Sequence, residues 1–235
     1  MPTLRPRLVA ALIAALAPAL LLPLVAAPAR AAGSPDLVIS QVYGGGGNSG
    51  ATYRNDFIEL FNRGTTTVTL TGWSVRYASA AGATWQSTPL SGSVAPGRYY
   101  LVQEAAGAGG TTDLPTPDAT GTIAMSASSG KVALAAPEGT RDLVGYGSAN
   151  EYEGGAAAPS LSNTTAALRK ADGRTDTDDN AADFATGAPN PRGSAAPTPP
   201  PLCDSPGATP VSAVQGSGTA TPLAGQTVEV QAVVT

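Results

Sequence analysis

Histidine is absent from the 235 residues. That removes Ser–His and Cys–His nucleophile systems and histidine-ligated zinc from this chain. Cysteine occurs once, at Cys203. An odd cysteine in an exported chain suggests a missing partner or a free thiol; Cys203 stands in a Pro-rich stretch, and a partner beyond residue 235 is expected. After the first 32 residues no stretch sustains helical periodicity for more than a turn or two, which argues against a helical architecture. Nor does any later segment reach the roughly 18 apolar residues that a membrane-spanning helix needs.

The N-terminus sets the expected compartment. Arg5 and Arg7 precede an apolar run from Leu8 to Ala27, broken by Pro18 and Pro23, and the segment closes on Ala29-Arg30-Ala31. A basic start, a short apolar stretch and a small-x-small site are the parts of a secretory signal peptide. A membrane anchor would fit less well with two prolines and so much alanine. Residues 1–32 are therefore read as a signal peptide cleaved after Ala31 or Ala32, and the product as secreted, with no membrane association after cleavage. Cleavage takes Arg5, Arg7 and Arg30 away and no acidic residue, leaving 10 basic against 17 acidic groups, a net charge of −7. Such a surface repels a phosphate backbone, so non-specific nucleic-acid binding is not expected of this portion.

From Gly33 to Arg192 the chain reads as short strands punctuated by Gly and Pro. Expected strands are Leu37–Tyr43, Phe57–Asn62, Val68–Leu70, Trp73–Tyr77, Tyr99–Gln103, Lys131–Ala135 and Asp142–Tyr146. Trp73, Val75 and Tyr77 alternate with Ser74 and Arg76, and Val132 and Leu134 alternate with Lys131 and Ala133, the period of a half-buried strand. Many short strands with Gly-rich turns indicate an all-β sandwich or barrel. Residues 193–210 carry Pro197, Pro199, Pro200, Pro201, Pro206 and Pro210, the composition of a semi-rigid spacer. In residues 211–235 a new β pattern begins: Val228, Val230, Ala232 and Val234 alternate with Glu229 and Gln231. An unpaired apolar strand is a poor place for a domain to end, so this stretch is read as the start of a truncated second β-domain.

Five features are candidate sites. Gly45 to Gly50 satisfies G-x-G-x-x-G, but a dinucleotide site needs a helix after it, and Ala51–Asp56 leads into a strand; a turn is the better account. Asp176, Asp178, Asn180 and Asp183 place oxygen ligands at spacings that suit calcium. The EF-hand glycine and glutamate are missing, with Ala181 and Gly187 in their places, and the alternative is an Asx-rich turn that caps the last strand. Asp56 and Glu59 could form an acid/base pair, but residues three apart on a strand face opposite ways; Glu59 is expected to lie covered beside Phe57 and Phe61 and to pair with an arginine. Trp85, between Gly82 and Pro89, is the candidate stacking platform for a ligand, whereas Trp73 is expected in the core. Asn163-Thr-Thr165 is a formal glycosylation sequon.

Two stretches, Leu37-Val-Ile-Ser-Gln-Val-Tyr43 with Asn55-Asp-Phe-Ile-Glu-Leu-Phe-Asn62, and Leu70-Thr-Gly-Trp-Ser-Val-Arg76, resemble a bacterial lamin-tail domain. The closing run from Arg169 through Asp176–Phe184 to Pro189-Asn-Pro-Arg192 is similar to the end of such modules. This resemblance implies an immunoglobulin-like β-sandwich over residues 33–192. Val211–Gly218, Pro222–Gly225 and Val228–Thr235 resemble the opening of the OB-like domain of secreted nucleases. There a lamin-tail module, an OB-like domain and an endonuclease/exonuclease/phosphatase domain follow in that order. The resemblance implies a non-catalytic accessory module with a ligand of its own. Catalysis, magnesium and nucleic-acid contact would belong to domains downstream of Thr235. The competing expectation is a secreted or envelope-associated adhesion protein with no enzymatic domain.

Overall fold

A computed structural model describes residues 36–198. The expected signal peptide, most of the Pro-rich spacer with Cys203, and the expected start of the second domain lie outside the described residues. Twelve strands follow in order. They are β1 (Leu37–Tyr43), β2 (Asn55–Asn62), β3 (Val68–Thr69), β4 (Ser74–Ser79), β5 (Gln86–Pro89) and β6 (Ser93–Val94), then β7 (Tyr99–Ala106), β8 (Ala119–Thr120), β9 (Gly130–Ala136), β10 (Gly139–Tyr146), β11 (Ala166–Arg169) and β12 (Phe184–Gly187). A 3₁₀ turn at Ala171–Gly173 and a one-turn helix α1 (Asn180–Asp183) stand between the last two strands.

One sheet runs β12-β11-β1-β2-β7-β8 and the other β10-β9-β4-β5, with β3 and β6 forming a small ribbon. Neighbours pair antiparallel apart from the short parallel contact of β7 with β8. Between the two sheets lie Ile39, Val42, Ile58, Leu60, Tyr100 and Val102 from one side and Val75, Tyr77, Val132, Leu134, Val144 and Tyr146 from the other. Each full burial of an aliphatic or aromatic chain of this kind contributes roughly 1.5–3 kcal/mol, and this apolar layer is what holds the sheets face to face. The chain is thus an all-β, immunoglobulin-like β-sandwich. Among the described residues no helix is long and apolar enough to cross a membrane.

The six-stranded sheet is covered on its outer face as well. Tyr43, Phe57 and Leu101 pack there under Tyr53 and Leu114, and Val38, Phe61 and Tyr99 under Ala196. Every residue of β1 is consequently buried, and no alternation of exposure remains along it. The Gly-rich loop after β1 is part of this cover. Gly47 adopts φ +68°, and a Cβ there would lie 2.1 Å from the backbone N of Gly107. Glycine is required for both reasons, the left-handed backbone and the close approach.

A β-bulge at Ser40 shifts the register of β1 against β2, from Ile39 opposite Leu60 to Gln41 opposite Glu59. The extra residue lets Ile39 and Val42 both face the inner core and brings Ser40 and Gln41 together onto Glu59. This irregularity positions most of the polar chemistry described next.

Candidate functional site

Arg169, the last residue of β11, is fully buried at the meeting of the two sheets. Its Nη2 donates to both carboxylate oxygens of Asp142 on β10, at 2.8 Å each. Nη1 donates to the Thr175 carbonyl at 3.2 Å and to Asp176 Oδ1 at 3.0 Å, with Asp183 Oδ2 at 3.5 Å. Nε donates to the Ile39 carbonyl at 2.8 Å, while the Ile39 N–H donates to Asp142 Oδ2 at 2.6 Å. Just before the bulge, the Arg169–Asp142 pair thus supplies the partners that a neighbouring strand would otherwise give. Phe184 closes the other side, its ring 4.5 Å from the guanidinium carbon. Burial works against the charge on Arg169, but Asp142 and Asp176 outweigh it and hold its pKa above the ordinary value. Five donors in a rigid fork make arginine the residue that can satisfy so many acceptors at once.

Glu153 sits beside this cluster and differs from it. Burial, then the charge of Asp142, pushes its carboxyl up to about 9, so it is a neutral acid at pH 7. Asp142, Glu153 and Asp176 each place one oxygen within 4.8 Å of the others. The guanidinium of Arg169 already serves two of the three, and Asp176 Oδ2 also accepts from Arg63 at 2.9 Å.

The four residues expected to bind calcium are placed as follows. Asp176 and Asp183 turn toward Arg169. Both oxygens of Asp183 also accept from Thr177, Oδ1 from the hydroxyl at 2.7 Å and Oδ2 from the backbone N–H at 2.8 Å. Asn180 turns the other way: its Oδ1 accepts from Gly145 N at 2.8 Å and its Nδ2 donates to the Leu143 carbonyl at 2.9 Å, fastening α1 to β10. Asp178 occupies the turn before α1 at φ +55°. Asp179, which was not among the four, caps α1 by accepting from Ala181 N and Ala182 N at 3.1 Å. Two of the loop's carboxylates, Asp176 and Asp183, therefore converge on a cation that the chain itself supplies.

Trp85 is half-buried just before β5, and the Lys131 ammonium lies 5.3 Å from its ring centroid. One face of the expected stacking platform is engaged by this cation–π contact. A half-buried strand period would leave Lys131 on the open face of β9, yet its side chain is fully buried, with Nζ bonded at 2.8 Å to Asn150 Oδ1 and Glu151 Oε1. Trp73 is partly buried and packs against the core.

On the outer face of the six-stranded sheet, Glu59 carries the expected arginine. Arg192 reaches it through Nη2 at 3.0 Å and through its backbone N at 2.7 Å, and the guanidinium stacks 3.9 Å from the Tyr99 centroid. Ser40 Oγ and Gln41 Nε2 complete the carboxylate at 2.6 and 2.9 Å. Gln41 also exchanges two hydrogen bonds with the backbone of Asn190. Residues 190–196 form a strap across the sheet, continued by Ser194 on Asp118 and by the Ala196 carbonyl on Arg98. Asp56 lies on the opposite face, as strand alternation requires: it bonds the backbone of the core residue Met125. Two open cavities adjoin the strap. One of about 390 Å³ is bounded by Pro115, Thr116, Pro191, Arg192 and Ala196, and one of about 280 Å³ by Phe61, Arg63, Arg174 and Thr198.

No curated protein matches this sequence. Among solved structures, a DUF4876 family protein from Bacteroides thetaiotaomicron VPI-5482 aligns with 71% of this chain and 75% of its own, at 13% identity and a TM-score of 0.49. The family model for the lamin tail domain matches residues 30–179, from before β1 into the loop that wraps Arg169. With most of the sandwich inside that match, the chain belongs to the lamin tail domain family.

Proposed function

We propose that this chain is a non-catalytic module that binds or positions, and that it serves a secreted, metal-dependent nuclease. The first half rests on how the buried ionisable groups are used. Asp142, Asp176 and Asp183 surround Arg169, and Glu59 holds Arg192. Each of these pairings ties one strand or loop to another, the role of a scaffold rather than of acid/base or nucleophilic chemistry. The Asp176–Asp183 loop is accordingly read as a clasp on Arg169 in preference to a calcium site.

The second half rests on the resemblance of residues 211–235 to an OB-like domain and on the order of the parts. In that arrangement nucleic acid and magnesium are handled downstream, where a metal would activate water and stabilise charge on the phosphoryl oxygens. Export through the N-terminal leader places the product outside the cytoplasm. Sequencing the genomic locus past codon 235 tests the proposal. A catalytic domain with clustered His, Asp and Asn supports it; further sandwich repeats followed by a wall-anchoring tail would overturn it in favour of an adhesion protein.

A further inference from the structure

Among the described residues, two buried carboxyl groups differ from the rest in having no cation acting on them. Asp56 on β2 is 3% exposed and Glu104 on β7 is 1% exposed. Asp56 accepts from Gly46 N and Met125 N, both at 2.8 Å. Glu104 Oε2 accepts from Ile123 N at 2.9 Å and from the Thr88 side chain, whereas Glu104 Oε1 has no hydrogen-bond partner among the described residues. The other side chains that act on the pair are Tyr43 on β1 and Tyr146 on β10, which feel the Asp56 charge, and Tyr77 on β4 behind Tyr146. None is basic. Arg54, two residues before Asp56, is exposed and bonded to Asp113. Buried charge of this kind must be paired, bind a metal or take a proton. Space favours the proton: a Cβ on Gly121 would lie 2.1 Å from Thr88 Oγ1 and 2.2 Å from Glu104 Oε2.

We propose that Asp56 and Glu104 form a proton-operated latch that closes residues 121–126 over one end of the sandwich and releases them when both carboxyls ionise. This segment belongs to no strand. It buries Ile123 and Met125 in the inner core, and their N–H groups are held by the two carboxyl groups. Elsewhere Gly121 N donates to the Gln103 carbonyl, Ala105 N to the Ile123 carbonyl and Ser126 N to Tyr77 Oη, while Ser126 accepts from Tyr146 Oη at its carbonyl and from Ser128 N and Ser129 N at its hydroxyl. Below neutrality a retained proton leaves at most one charge in the pair. Above it, two like charges stand in a low-dielectric site, and hydration is gained by letting the segment go. Burial raises both groups, Asp56 to about 7, so the Asp56 proton is lost near neutral pH.

Backbone amide exchange on the whole mature chain between pH 5.5 and 8.5, corrected for the intrinsic exchange rate, tests the latch. Protection of Ile123 and Met125 is expected to fall about tenfold per pH unit as pH rises from 5.5 toward neutrality, the slope for one linked proton, and to level off above it, where the closed state has no proton left to release. Protection of Ile39 and Leu60 should stay level. Glu104→Gln should flatten the dependence. Carboxyl carbon NMR of the wild-type chain gives a reading that no variant's folding can obscure. A titration of Asp56 or Glu104 near neutrality supports the latch; both groups titrating below pH 5, or pH-independent protection at Ile123 and Met125, overturns it.

Discussion

Arg169→Met is the perturbation that the fold should tolerate least. Methionine roughly preserves the length and apolar stem of the side chain, so little volume is lost. What disappears is the positive charge facing Asp142, Asp176 and Asp183, along with the donor to the Ile39 carbonyl. Removing one partner of a buried ion pair costs about 3–5 kcal/mol, because the other charge stays buried without compensation. In a domain of this size each kcal/mol lowers Tm by about 2–4 °C, so a drop of roughly 6–20 °C is expected. Urea denaturation of the two proteins at pH 7 measures the difference directly. Arg169→Lys should fall between them: it keeps the charge but cannot reach Asp142, Asp176 and the Ile39 carbonyl together. If Arg169→Met stays within about 1 kcal/mol of the wild type, the cluster contributes little net stability, and its scaffold role is refuted.

Arg192→Ala should loosen the strap on the Glu59 side, lowering stability by about 3 kcal/mol as for other broken buried pairs, and limited proteolysis should then cut within residues 190–196 faster than in the wild type. Thermal melts in millimolar calcium and in chelator should superimpose; a calcium-dependent rise in Tm that Asp176→Asn abolishes would restore the loop as a metal site. The pH dependence has a defined sign. The Asp56 and Glu153 carboxyls are raised to about 7 and about 9, so the folded state holds protons that the unfolded chain has released. Their contribution is fully present near pH 4 and is lost as pH rises through 7 and then 9. Stability measured at pH 5.5 should therefore exceed that at pH 9, and the reverse order would contradict the assignment.

The strands with apolar alternation or β-branched runs were legible in the sequence: β1 was bounded correctly at Leu37–Tyr43, and β2, β4, β7, β9 and β10 lie within a few residues of expectation. Three strands of the larger sheet, β8, β11 and β12, were not. In β11 Ala166-Ala-Leu-Arg169 has no β-branched residue, and it is a strand because Ala167 and Leu168 pair with the edge of β1. Phe184-Ala-Thr-Gly187 of β12 depends in turn on β11. Polar β5, Gln86-Ser-Thr-Pro89, is an edge strand whose signal is its partner β4.

The site was legible in part for the same reason. Strand alternation sufficed to put Glu59 under cover and to foresee an arginine partner, though not to pick Arg192, 133 residues away. The Asp176–Asp183 loop stood out as a group of oxygen ligands. Local spacing could not show that Arg169 would fill its centre, or that Asp142 from the other sheet would join it. The burial of Lys131 was not legible because alternation along β9 ignores the cover above it; Trp85, Asn150 and Glu151 supply that cover.

On the function proposed above, this lamin-tail chain binds or positions and performs no hydrolysis itself. The most direct test is to incubate the purified mature chain with double- and single-stranded DNA in magnesium and in calcium, following cleavage against elution of the folded protein. Intact DNA is expected in every fraction. Metal-dependent phosphodiester cleavage that co-elutes with the folded chain and survives stringent purification would contradict it.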